Sequence, residues 1–347
     1  MSQGKQSKLK IFLINLFVLV ALLLLLFVFG EITLRSFIPK VGHTGMNRLT
    51  SSPLTYEMIP NLNIVREGVQ ISTNSDGFRD TEFTGEPKPG QFVIAVLGDS
   101  FTFGQGVPQS ETFPAVLQKL LNSSKNSDRF RVWNLGVCGY NIEQESYLLA
   151  DFVLPRKPNW VVVGYNIVDC RPIQVDPDLV RKEEKDHRSL ISRLIKYVEN
   201  DLVITQLVKQ RTGNLIRLFD PNWYASSYVQ DTLNQYLTPD GGWIKVSALL
   251  KKMKTECDKK GIGFTIANLP AMMDFTNYPY NKANDVIISF CKDNDIDCVD
   301  ILPYFKGHNY MKLWVSGIDG HANADAQQIF AKAVAVHLEE KLSLDKN

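Results

Sequence analysis

Residues 93–107 read VIAVLGDSFTFGQGV. Val93 to Leu97 are apolar, and with Phe92 they form the short continuous run expected of a strand buried on both faces of a parallel sheet. The run ends on Gly98, Asp99 and Ser100. A glycine, an acid and a small hydroxyl at a strand end make either a plain turn or a nucleophile raised on one. The rest of the chain bears on that choice.

Downstream, strand and helix patterns alternate. Residues 110–124 carry Phe113, Val116, Leu117, Leu120 and Leu121 at helical spacing. Residues 131–136 read as a strand, 141–155 as a helix and 159–166 as a third strand. The rhythm breaks over about 173–240, where residues 188–200 carry a helical stripe of Leu190, Ile191, Leu194, Ile195 and Val198. This stretch reads as a charged helical insertion beside the sheet. The alternation then resumes: helix 243–261 ending on glycine, strand 263–270, helix 285–294, strand 297–302, and a last helix over about 324–342 with Ala326, Ile329, Phe330 and Ala333 on one face. Such alternation predicts an α/β fold with a parallel sheet and right-handed crossovers.

The N-terminus carries a different signal. Residues 11–30, IFLINLFVLVALLLLLFVFG, are long enough to cross a bilayer as a helix, with Asn15 the one strongly polar side chain. Lys5, Lys8 and Lys10 precede it, which predicts a cytoplasmic N-terminus. The reading is residues 1–10 cytoplasmic, 11–30 a transmembrane signal anchor, 31–90 a juxtamembrane connector with lead-in strands, and 91–347 the main domain. A cleaved signal peptide is the other reading, and both send everything after about residue 31 outside the cytoplasm, to the periplasm or cell surface. Pro39, Pro53, Pro60, Pro87 and Pro89 break up the connector, and residues 72–80, STNSDGFRD, read as a tight polar turn.

Composition excludes little else. Lys and Arg number 38 against 37 Asp and Glu, so no global charge calls for nucleic acid. Of the five cysteines, Cys138, Cys170, Cys257, Cys291 and Cys298, at least one has no partner in the chain. No C-x-x-C occurs, which argues against structural zinc. One or two disulfides and isolated buried thiols are both open.

In open α/β sheets the carboxyl ends of the strands hold the ligand. Ser100 follows the first strand, NLGVCGYN (residues 134–141) spans the end of the second, Gly164-Tyr165-Asn166 ends the third, and GIDGHAN (317–323) precedes the last helix. These are the parts of an acyl-transfer site. A serine hydroxyl needs a base to take its proton, the base a carboxylate to fix its tautomer, and the oxyanion a set of preorganised donors. His321 is the best candidate of the five histidines: His43 lies near the membrane, His187 in the charged insertion, His337 on a late helix turn, and His308 in a loop with no nearby acid motif. Each piece has a plainer reading: Gly136 and Gly139 as turn glycines, Asn166 as a cap, Asp319 as the cap of the last helix.

The four blocks, taken in order, resemble the SGNH or GDSL-type hydrolases: GDSF at 98–101, the glycine block at 134–141, GYN at 164–166 and DGH at 319–321. The resemblance covers about residues 70–342. It implies a flavodoxin-like three-layer α/β/α sandwich, Ser100 as nucleophile, His321 as base, Asp319 orienting it, and an oxyanion hole from the Ser100 and Gly139 N–H groups and the Asn166 side chain. No metal or organic cofactor is implied. The chain departs from the family in two places. Its acid and histidine are spaced D-x-H where D-x-x-H is common. Asn166 is followed by Ile167 rather than an aspartate, with Asp169 coming later; aligning on Asp169 puts Val168 at the oxyanion position, and Asn166 is taken because Gly164 then fits too. A Cys138–Cys170 bridge would brace the oxyanion loops.

The expected activity is hydrolysis of acyl esters, O-acetyl above all, on cell-envelope carbohydrate or lipid. Two alternatives stay open: O-acyl transfer to a polysaccharide hydroxyl, with a separate membrane protein supplying the acyl donor, and a non-catalytic envelope binding or assembly role. The pocket walls are expected from residues 173–240 and 270–282, where residues 269–281 (LPAMMDFTNYPYN) read as ordinary loop packing ahead of an acyl pocket.

Overall fold

The computed structural model describes residues 3–37, 46–50, 53–66, 68–83, 87, 89–125, 128–172, 221–316 and 319–344. The expected helix at 188–200, with His187, and His43 lie outside them. The chain divides into two compact units.

In the first unit, helix α1 (Gln3–Phe37) contains a 24-residue window, Lys10–Thr33, an 18-residue part of which has mean hydropathy 3.3. At 1.5 Å per residue that window is about 36 Å long, enough to cross the roughly 30 Å of hydrocarbon in a bilayer. Among the described residues it is the one helix long and apolar enough to do so. A signal sequence meets the same criterion.

The second unit is built on five parallel strands: β5 (Phe92–Gly98), β6 (Phe130–Gly136), β7 (Trp160–Asn166), β8 (Gly263–Leu269) and β9 (Asp297–Asp300). Their order is β6-β5-β7-β8-β9, the 2-1-3-4-5 arrangement of flavodoxin-like sheets. Val93 to Leu97 are completely buried. Val93, Ala95 and Leu97 enter one core, Ile94 and Val96 the other, which is why the run is apolar without alternation.

Two helices, α3 (Phe113–Lys125) and α8 (Ala324–Leu344), cover one face through Phe113, Leu117, Leu121, Phe330 and Val334. The other face is covered by α4 (Ile142–Leu148), α6 (Trp243–Asp258) and α7 (Asn281–Asp293), through Ile142, Leu250 and Ile287. Helix α5 (Pro221–Leu237) precedes α6. The result is the three-layer α/β/α sandwich expected. Met272, Phe275, Tyr278 and Tyr280 are buried in these cores, so the aromatic stretch around them serves packing.

Three antiparallel pairs complete the unit: β1 (Asn47–Leu49) with β2 (Tyr56–Met58), β3 (Asn63–Arg66) with β4 (Val69–Ser72), and β10 (Trp314–Ser316) with β11 (Asp319–Ala322). The last pair carries DGH on a strand: Trp314 pairs with Ala322 and Ser316 with Asp319. All five cysteines are free thiols, so the Cys138–Cys170 bridge is not formed. The Cys170 sulfur instead contacts the Gln235 carbonyl at 3.8 Å.

One feature of the sheet positions everything above it. Gly98 pairs with Gly136 on one side and Gly164 on the other, so three glycines lie in a row across β6, β5 and β7. A single helical turn, α2 (Ser100–Phe103), rests on that row. A Cβ on Gly136 would overlap the Phe103 backbone nitrogen and lie 2.8 Å from its Cα; one on Gly98 would lie 2.8 Å from Thr102 Cβ. A Gly136→Ala substitution meets backbone, which a rotamer change cannot relieve. It is expected to cost about 1–3 kcal/mol, the usual range for overpacking, read as a lower urea midpoint at unchanged m-value. An unchanged midpoint would show that the turn has room to rise.

Candidate active site

Ser100 sits at the first position of α2. The Asp99 carboxylate caps the turn by accepting from the Phe101 N–H at 2.8 Å. Gly104 closes it in the left-handed region, φ 77°, and its N–H donates to the Ser100 carbonyl. Below the turn lies Arg79, only 1% exposed. Its guanidinium donates to the carbonyls of Gly104 (2.6 Å), Val107 (2.6 Å) and Phe103 (3.3 Å) and stacks 5.0 Å from the Phe103 ring. Burial pushes the Arg79 pKa down to about 10, which still leaves it charged at neutral pH. The expected polar turn does form at residues 74–78, where Asn74 accepts from the Asp76 and Phe78 N–H groups. The sequence reading missed that Arg79, at its end, is a buried clamp.

The expected base, His321, and the expected orienting acid, Asp319, both lie on β11. Asp319 and His321 are two residues apart on one strand and therefore point to the same side. That alternation is why the short D-x-H spacing suffices. His321 Nε2 lies 2.9 Å from Ser100 Oγ, and His321 Nδ1 lies 2.5 Å from Asp319 Oδ1. The His321 N–H also donates to that oxygen at 3.0 Å. A proton on Nδ1, fixed by the carboxylate, leaves Nε2 to accept from the serine hydroxyl. Burial acts to raise the Asp319 pKa, but hydrogen bonds from His321 and its charge outweigh it and hold the carboxyl below its usual range. Asp319 is not the cap of α8; Asn323 is, accepting from the Ala326 N–H. Of the other described histidines, His308 is exposed and His337 pairs with Asp297 at 2.7 Å.

The remaining two residues lie at the ends of the flanking strands. Gly139 adopts φ 80° after β6, in a turn anchored by Val137 N–H on the Gly98 carbonyl. Tyr56 braces the turn: its hydroxyl donates to the Cys138 carbonyl at 3.0 Å, and Tyr140 donates back to the Tyr56 carbonyl at 2.7 Å. A Cβ on Gly139 would lie 2.8 Å from that hydroxyl. Asn166 ends β7. Its Oδ1 accepts from the Val168 N–H, and its own N–H donates to Asp169 Oδ2 at 2.7 Å. Asp169 thus holds the loop, while Asn166 Nδ2 is buried with no partner. Among the described residues, the Ser100 and Gly139 N–H groups also have no acceptor. Ser100, His321 and Asp319 touch one another; Gly139 and Asn166 flank them without bonding to them.

Three carboxyls are buried together behind the site: Asp99, Asp169 and Glu145 of α4. Neither Glu145 oxygen has a hydrogen-bond partner. Burial and the charge of Asp99 push the Glu145 pKa well above its ordinary value, and burial with both neighbours does the same to Asp169. Burial raises Asp99 to about 6, against the Phe101 N–H and His321. On a helix read only by its apolar stripe, Glu145 looks like a surface residue, so no sequence signal marked it. A carboxyl whose pKa is raised by folding stabilises fully below its unfolded pKa of about 4.3, and that stability is lost as pH rises toward the folded value. The chain should therefore lose stability from pH 5 to pH 8, and Glu145→Gln should flatten that loss, read as urea midpoints at each pH. Parallel curves for the two proteins would contradict a protonated Glu145.

Residues 96–329 match the model of the GDSL-like Lipase/Acylhydrolase family. No curated protein sequence matches the chain. Among solved structures, a G-D-S-L family protein from Desulfitobacterium hafniense aligns at 13% identity and TM-score 0.41, covering 71% of this chain and 99% of that one. A catalytic mutant of an acetylxylan esterase from Geobacillus stearothermophilus aligns at 14% identity and TM-score 0.42, covering 71% and 93%. The family match spans about two thirds of the sequence, and the chain belongs to the GDSL-like lipase/acylhydrolase family, enzymes that act on ester bonds.

Proposed function

We propose that this chain is a serine esterase in which Ser100 is the nucleophile, His321 the general base and Asp319 the residue that orients it. The observation that carries the proposal is the pair of contacts joining these three side chains, 2.9 Å and 2.5 Å, across 221 positions of sequence. Ser100 Oγ attacks the ester carbonyl carbon as its proton passes to His321 Nε2. The carbonyl oxygen becomes an oxyanion held by the Ser100 N–H, the Gly139 N–H and Asn166 Nδ2. Each such donor is worth about 2.7–4 kcal/mol to a transition state. Collapse expels the alcohol, which takes the proton from His321. Water then attacks the acyl-serine with His321 again as base, releasing the acid and restoring Ser100. Asn166 Nδ2, buried with no partner, supports the oxyanion reading, because buried donors are otherwise satisfied.

The substrate class is an acyl ester, O-acetyl above all, on cell-envelope carbohydrate or lipid. The helix at Lys10–Thr33 supports this, since a tethered enzyme acts on what lies beside the membrane. Lys5, Lys8 and Lys10 orient that anchor with its N-terminus in the cytoplasm and the domain from about residue 91 outside it.

The full-length chain in detergent, treated with a fluorophosphonate, should gain one adduct on Ser100, absent in Ser100→Ala and slowed in His321→Ala. Asn166→Ala should lower kcat on an aryl acetate about 10²–10³-fold with little change in KM. Absence of labelling in the folded protein would overturn the proposal in favour of a binding role. Acyl-sugar formed when a sugar acceptor is added would assign the same triad to transfer.

A further inference from the structure

We propose that Tyr236 is a positioning residue that aims the Asn166 amide at the oxyanion. The assignment rests on the triad and oxyanion reading above. The Tyr236 hydroxyl donates to the Ile167 carbonyl at 2.7 Å. The N–H of the same peptide unit, that of Val168, donates to Asn166 Oδ1 at 3.2 Å. One peptide plane is therefore gripped at both ends: Tyr236 holds its oxygen, and its N–H holds the Asn166 side chain. The plane is rigid, so fixing the carbonyl fixes the direction of the N–H. An amide whose oxygen is engaged on one side presents its nitrogen on the other, and Asn166 Nδ2 is buried and unpartnered.

The series of bonds starts on β7 itself. The Tyr165 and Tyr236 hydroxyls lie 2.5 Å apart. The Tyr236 hydroxyl has one proton and gives it to the Ile167 carbonyl, so Tyr165 is the donor of that pair. The order is Tyr165 hydroxyl, Tyr236 hydroxyl, Ile167–Val168 peptide, Asn166 amide. Hydrogen bonds in such a series polarise one another, which strengthens the last donor. Tyr165 is completely buried and Tyr236 is 6% exposed. Burial pushes both phenol pKa values well above their ordinary value, so both hydroxyls keep their protons at neutral pH.

Tyr236 comes from α5, 69 positions beyond Ile167, inside the stretch whose sequence reads as an insertion. Helix α5 is seated on the same loop at a second point. Arg171 stacks 4.0 Å over the Tyr228 ring, and its Nη2 donates to the Thr232 hydroxyl at 2.6 Å. The Arg171 carbonyl accepts from Asn141 Nδ2 at 2.8 Å, which ties the loop after β7 to the start of α4. The Trp243 ring, at the first position of α6, lies 5.3 Å from the Tyr236 ring. These contacts fix where α5 delivers the hydroxyl. A phenylalanine at 236 would keep the ring packing, so packing alone does not account for the hydroxyl.

Full-length Tyr236→Phe, assayed in detergent with p-nitrophenyl acetate, should lose about 10-fold in kcat, short of the 10²–10³-fold expected when an oxyanion donor is removed outright. Its KM should stay within about twofold. Tyr165→Phe leaves the bond to Ile167 in place and should lose less, about 3–5-fold. Both changes are then repeated in Asn166→Ala. With the amide gone, neither should lower kcat by more than about 1.5-fold, whereas a merely structural role would lower it by the same factor in both backgrounds. Urea midpoints check that each variant folds, and should Tyr236→Phe not fold, the Tyr165→Phe pair decides by the same comparison. An unchanged kcat in Tyr236→Phe, or equal losses with and without Asn166, overturns the assignment. If Ser100→Ala or Asn166→Ala keeps wild-type activity in the same assay, the triad or oxyanion reading falls and this assignment with it. If both of those variants lose activity as expected while Tyr236→Phe does not, this assignment alone falls.

Discussion

The close approach of one helical turn to a row of three glycines is the constraint on which the site depends. Gly136, Gly98 and Gly164 pair side by side at the carboxyl edge of the sheet. With no side chains there, α2 settles onto the backbone itself, and Thr102 and Phe103 occupy space that Cβ atoms would fill. The height of that turn sets where Ser100 Oγ lies relative to β11, and so whether it can reach His321. The same edge delivers the Gly139 and Asn166 loops from the two strands flanking β5. Packing of this kind has few intermediate solutions, because protein interiors are close-packed and transmit small displacements.

Support for the site comes from two sides. From the family-matched region, the β10–β11 hairpin presents Asp319 and His321 on one face of a strand. From the segment before it, Arg79 gathers the carbonyls that follow α2, and Tyr56 holds the Gly139 turn. Both residues precede the span that matches the family model. The lead-in segment therefore fixes the α2 turn that carries Ser100 and the turn that carries Gly139. The buried carboxyls Asp99, Glu145 and Asp169 add a cost of a different kind. They sit where charge is disfavoured, and Asp99 and Asp169 are retained on the loops that carry Ser100 and Asn166.

Much of the fold is legible in the sequence, for a physical reason. Strands buried on both faces must be apolar throughout, so β5, β7 and β8 stand out, and amphipathic α3 lies between them in the expected alternation. Ser100, Asp319 and His321, which the structure brings into contact, are legible as candidates because a serine, an acid and a histidine at strand ends are the residue types acyl transfer would require. What escapes is whatever lacks periodicity or shows its role only in three dimensions. A single turn such as α2 has no repeat to detect. The pairing of Asp319 with Ser316 spans too few residues to announce a strand. Arg79 ends a polar stretch that reads as surface, and its burial depends on carbonyls 24 to 28 positions away. The glycine row is visible only once the strand register is known. Cys138 and Cys170 follow β6 and β7, strands that lie next to each other in sequence order but are separated in the sheet by β5, and no bridge joins them.

The central claim is that three unpartnered donors at neighbouring strand ends converge on one oxygen. The most direct test is a crystal structure of the phosphonylated chain. The account predicts phosphorus on Ser100 Oγ, with its non-bridging oxygen about 2.7–3.1 Å from the Ser100 N–H, the Gly139 N–H and Asn166 Nδ2. A phosphonyl oxygen turned to solvent, with Asn166 Nδ2 still unpartnered, would contradict it.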